Sequence, residues 1–60
     1  MLLVLTKDSQ FYFRWALQKP DGTIMGDSGP RRYQNRNAAI VDARKRCPEA
    51  KKAEIVLASP

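Results

Sequence analysis

The chain reads as an α+β domain of order β-β-β-α-β, with an antiparallel sheet carrying one helix packed on one face. Three observations predict this. Phe11, Phe13, Trp15 and Leu17 alternate with Tyr12, Arg14, Ala16 and Gln18, which is the period of two of a strand with one buried face. Turn chemistry at Lys19-Pro20-Asp21-Gly22 and Ser28-Gly29-Pro30 cuts the neighbouring segments to strand length. Between Arg36 and Cys47 the period changes, and Ala39, Ile40, Ala43 and Cys47 recur at helical spacing.

The elements follow in order. Leu2 to Thr6 is a short apolar run and forms the first strand. Lys7-Asp8-Ser9-Gln10 is polar and holds Asp and Ser, whose side chains bond locally to backbone, so it joins the first strand to the aromatic one as a hairpin. With Leu3 and Leu5 turned to the core, Leu2 and Val4 fall on the opposite face with Tyr12 and Ala16. Those outer residues are too apolar for a fully solvated surface, and a second subunit is expected there. Pro20 cannot continue a ladder and Gly22 accepts positive φ, so the aromatic strand stops at Lys19. A third strand spans about Thr23 to Asp27, with Ile24 and Met25 on opposite faces, and completes a meander.

After the connector Arg31-Arg32-Tyr33-Gln34, Asn35 suits a helix N-cap because its side-chain oxygen satisfies a free N–H of the first turn. Small alanines on the inner stripe let the helix approach a sheet with large aromatics. Arg44, Lys45 and Arg46 oppose the negative end of its dipole, and Pro48 stops it. Glu49 to Lys52 is a polar linker. Glu54-Ile55-Val56-Leu57-Ala58 is the final strand.

Sixty residues make one domain, spanning 1–60, and a chain of this size buries only about 60% of its unfolded surface. A single core below roughly 70–80 residues rarely supplies more than ~3–5 kcal/mol. One cysteine and no histidine leave no intrachain disulfide and no Cys/His metal site. Self-association is the remaining source of stability. The single Cys47 and the lack of a signal-like or membrane-spanning run point to a cytoplasmic protein. A net charge of +5 makes a polyanionic partner worth considering.

The pattern resembles the YegP-like family of small bacterial proteins of uncharacterised function. The resemblance rests on Phe13-Arg14-Trp15-Ala16-Leu17, on Asp21-Gly22-Thr23-Ile24, on Ser28-Gly29 and Tyr33, on Ala39 and Ile40, and on Pro48-Glu49-Ala50 before a valine-containing strand. It covers roughly residues 3–57. Ala16 stands where the family often has a second arginine, and the connector after Tyr33 is tighter than usual. The resemblance implies a β3-α-β unit that pairs with a second unit in one continuous sheet, exchanging C-terminal strands. For a chain with one unit it implies a homodimer, with Ile55, Val56 and Leu57 in the exchanged strand. It implies no catalytic residue. The sequence alone also favours a partner for that hydrophobic strand, since an open apolar edge invites aggregation.

Two functional classes emerge. One is a non-catalytic dimeric interaction or accessory module. The other is a nucleic-acid binder. Phe11, Phe13 and Trp15 could stack on bases, but their alternation assigns them to the core. Tyr12 and Arg14, on the opposite face, suit stacking and phosphate contact better. Arg31, Arg32 and Arg36 cluster before and at the helix start and would converge on an anion. A binder would gather Arg14, Arg31, Arg32 and Arg36 on one surface, whereas a solubility pattern would spread them. Arg44-Lys45-Arg46 with Lys51 and Lys52 reads as dipole complementation and solubility. Cys47, on the inner stripe without a histidine partner, reads as a small hydrophobe. No catalytic constellation, phosphate loop or cofactor motif is present, so no cofactor and no enzymatic activity are expected.

Overall fold

In the computed structural model, which describes residues 1–58, the chain runs β1 (Leu2–Lys7), β2 (Phe13–Gln18), β3 (Ile24–Asp27), α1 (Arg36–Arg46) and β4 (Glu54–Ala58). The four strands form one sheet in the order β3-β2-β1-β4. β1 to β3 are the expected antiparallel meander. β4 departs from the expected all-antiparallel sheet: it lies parallel to β1, pairing Leu3 with Ile55 and Leu5 with Leu57. The cause is the crossover through α1, which returns the chain to the end of β1 where it began. Such parallel pairing needs a long connection.

The face toward α1 carries the core. Leu3, Leu5, Trp15 and Leu17 are buried against Ala39 and Ala43 of α1 and against Ala50. The alanines let the helix sit close over the aromatic strand, as the spacing predicts. Ile40 and Cys47 pack at the border of this core. Gly26 of β3 lies under Cys47: a Cβ there would meet its Sγ at 3.1 Å. Asn35 caps α1, its Oδ1 accepting the Ala38 N–H at 2.8 Å. The segment read as a polar linker is instead a 3-10 turn, Pro48–Lys52, anchored by buried Ala50.

β2 begins at Phe13, so Phe11 falls outside it. Phe11 belongs to the tight β1–β2 loop, 72% exposed rather than in the core as its alternation suggested. Asp8 overrides the alternation. Its Oδ1 accepts the N–H of Gln10 at 2.8 Å and of Tyr12 at 3.0 Å, and its carbonyl accepts the Phe11 N–H at 3.0 Å. The chain turns sharply enough to place Phe11 at φ 66°, a left-handed conformation that bulky side chains rarely adopt.

The other sheet face has no layer over it among the described residues. Leu2, Val4, Ala16 and Val56 are half-buried there, beside exposed Thr6 and Arg14. At β3 the register shifts between Leu17 and Gln18, and Met25 and Ile24 are left 40% and 48% exposed.

Candidate functional site

Tyr33 makes a bridge with Phe13, donating to its carbonyl at 2.9 Å and accepting its N–H at 2.7 Å. Tyr33 is thus held alongside the start of β2, and the side chains of Arg31 and Arg32 before it leave on opposite sides. This alternation divides the arginines that stand together in the sequence.

Arg31 and Tyr33 go to the helix side and meet Asp42. Its Oδ2 accepts the Tyr33 hydroxyl and, at 3.4 Å, the indole N–H of Trp15. Arg46, one helical turn on, pairs with the same carboxylate at 3.2 Å, and Arg31 pairs with it at 3.8 Å. The Tyr33 hydrogen bond is the largest of the effects that hold the Asp42 carboxyl below its ordinary value. Burial opposes it, while Trp15, Arg46 and Arg31 add to it. Burial above all, with the bond to Asp42, raises the Tyr33 phenol. Asp42 thus joins α1, the connector and the core tryptophan.

Arg32 goes to the other side. Its guanidinium lies over the Tyr12 ring at 5.2 Å, donates to Gln10 Oε1 at 2.7 Å, and sits 3.8 Å from Asp8 Oδ2. The Tyr12 N–H bond is the main cause that lowers the Asp8 carboxyl, with Arg32 and Arg14 contributing by charge. Arg14 is exposed on the uncovered sheet face, beside a shallow depression lined by Thr6, Ala16, Asp27, Ser28 and Gly29.

Arg36, the first residue of α1, lies elsewhere again. It lines a mainly apolar cleft of about 200 Å³ with Leu5, Lys7, Phe13, Leu57 and Ala58. Of the five predicted contact residues, Tyr12 and Arg32 meet at Asp8, while Arg14 stands exposed on the uncovered sheet face. Arg31 is drawn to Asp42, and Arg36 to the cleft. The three β4 residues divide by face. Val56 is half-buried on the uncovered side, whereas Ile55 and Leu57 share the core face yet remain 41% and 52% exposed.

Sequence reasoning did not single out two residues. Asp42 lies off the apolar stripe of α1, and its spacing of four from Arg46 is a recognisable pair. Ser28 was read only as a strand end, but it is buried: its Oγ accepts the Trp15 N–H at 3.3 Å, and its own N–H donates to the Trp15 carbonyl at 2.9 Å.

No group of three or more Cys, Asp or Glu residues is placed to hold a metal ion among the described residues. No helix there is long and apolar enough to cross a membrane. No family model, curated protein or solved structure matches the chain.

Proposed function

We propose that the protein is a non-catalytic homodimeric interaction module of the YegP-like kind, whose two chains share one continuous sheet and exchange their C-terminal strands. The observation that carries this reading is β4, a strand at the sheet edge whose Ile55 and Leu57 remain 41% and 52% exposed on the core side. An open apolar edge is a standing invitation to pair. The small core adds to the argument. Three of its seven buried apolar residues are alanines, which contribute little burial each, so a second chain would supply stability that one lacks.

Exchange is favoured over simple edge pairing by area. One five-residue edge buries far less than the roughly 1,200 Å² of a small specific interface. Exchange makes every β1–β4 contact intermolecular.

The test combines molar mass by light scattering with a covalent trap. Val4 and Val56 are register partners, so V4C/V56C in a Cys47→Ser background should form a disulfide on oxidation. A dimeric mass and a chain-to-chain link on a non-reducing gel are expected. A monomeric mass at high concentration would overturn the dimer, and an intrachain link within a dimer would overturn the exchange. Leu57→Glu should shift the mass toward the monomer.

A nucleic-acid role is the second reading, supported by the charge of +5 and by exposed Arg14. It ranks lower because Arg31 and Arg32 already pair with carboxylates on different sides, and because Arg32 covers the Tyr12 ring. Anisotropy with labelled DNA and RNA across salt concentrations tests it. Affinity tighter than about 1 μM, lost in Arg14→Ala, would reverse the ranking.

A further inference from the structure

We infer that the uncovered sheet face is a second self-association surface, on which two exchanged dimers meet face to face as a tetramer. This rests on the dimer reading above. The face has the layout of an interface. Val4 stands in register with Ala16 on one side and with Val56 on the other, and Leu2 extends this strip. All four are half-buried with no layer over them among the described residues. Charge stands only at the margins. Arg14 lies at the Thr6 end, Glu54 at the Leu2 end, and Asp27 beside Ala16 at the β3 edge, all three exposed. An apolar centre within a polar rim is the anatomy of a protein–protein contact.

Charge selects a second copy as the occupant. The chain has eleven lysines and arginines and a net charge of +5, so most approaches of one copy to another are repulsive. On this face the strands present one cation, Arg14, against two acids, Asp27 and Glu54. A polyanion finds little to hold there, whereas a like copy meets its own complement. A two-fold axis lying across the strands, between two stacked sheets, reverses the facing strands. The Arg14 end of one copy then covers the Glu54 end of the other, and like charges are kept apart.

Area explains why the units that meet are dimers. With strands ~4.8 Å apart and ~3.3 Å per residue, a four-stranded face about five residues long has a footprint of roughly 300 Å². Two single chains would bury roughly 600 Å² between them, and two continuous two-chain sheets roughly 1,200 Å², the lower bound of a specific interface. Strand exchange leaves the face intact, since an exchanged β4 in the same register keeps Glu54 and Val56 on the same side. Ile55 and Leu57 face the other way and take no part.

Sedimentation equilibrium of the full chain, over a range of concentrations at low salt, tests the assembly. A four-chain mass that falls to two chains on dilution is expected. Arg14→Glu and Glu54→Arg should each weaken the four-chain state about fivefold or more, and combining the two charge reversals should restore it. Both residues are exposed, so these variants test the contact without threatening the fold. Ala16→Lys, at the centre of the strip, should hold the mass at two chains while Trp15 fluorescence stays that of the folded protein. A mass fixed at two chains at every concentration would overturn the tetramer and leave the exchanged dimer standing, whereas a monomer throughout would overturn both. A four-chain mass untouched by Ala16→Lys, or a double reversal no better than the single ones, would also overturn the assignment.

Discussion

Removing the Asp42 carboxylate should cost this domain most of its stability. In Asp42→Ala the Tyr33 hydroxyl and the Trp15 indole N–H lose one shared acceptor, and Trp15 is only 2% exposed. A hydrogen bond to a charged group contributes about 1.5–3 kcal/mol. The Trp15 contact is long at 3.4 Å, so we assign about 2 kcal/mol to Tyr33 and about 1 to Trp15. The Arg31 and Arg46 side chains are 61% and 40% exposed, so solvent screening leaves these pairs about 0.5 kcal/mol between them. The total of roughly 3.5 kcal/mol stands against the ~3–5 kcal/mol expected of so small a core. Urea unfolding at fixed protein concentration, followed by Trp15 fluorescence, should show the midpoint falling by roughly 2–3 M. A double-mutant cycle of Asp42→Asn with Tyr33→Phe should give a coupling of at least ~1 kcal/mol. A loss below about 0.5 kcal/mol in Asp42→Ala would refute the reasoning and make the contact incidental.

The same carboxylate sets a pH dependence. Because the folded state depresses the Asp42 pKa below 3.8, its contribution is complete above the unfolded value and is lost as pH falls through the folded one. Acid titration of stability should therefore be shallower in Asp42→Asn. Gly26→Ala should destabilise by about 1–2 kcal/mol through crowding against Cys47, and adding Cys47→Ala should recover most of the loss in thermal melting. Phe11→Asn should raise stability by about 0.5–1 kcal/mol, read as a slightly higher urea midpoint, since Asn tolerates φ 66° far better than Phe; a clear loss would show that the ring packs usefully where it stands.

The elements were legible because each rests on local chemistry: the Asn35 cap, the Pro20 and Gly22 turn, the alanine stripe, and Pro48 after the helix. The β4 boundaries, too, follow from a compact apolar run. Its direction did not, because parallel pairing depends on where the crossover delivers the chain, and no residue within β4 encodes that. Phe11 was misplaced for the opposite reason. A period of two includes it, but one aspartate with two backbone donors outweighed a hydrophobic alternation at a loop. The candidate contacts were partly legible. Arg31 and Arg32, adjacent in sequence, diverge because different acids draw them, Asp42 on the helix and Asp8 in the β1–β2 loop. Asp42 could not be weighed as a hub from sequence, since its partners lie 27 and 9 positions away.

The parallel β1–β4 pairing has a consequence for biogenesis. β1 precedes β2 and pairs with it at once, yet its other edge stays vacant until α1 and β4 have followed. Contacts between such distant segments form slowly, since loop closure must precede them. If strands are exchanged as proposed, that interval is when the β4 of a second chain would compete with the chain's own for the waiting edge. Under that proposal, chains once intertwined would part on dilution only at the rate of unfolding.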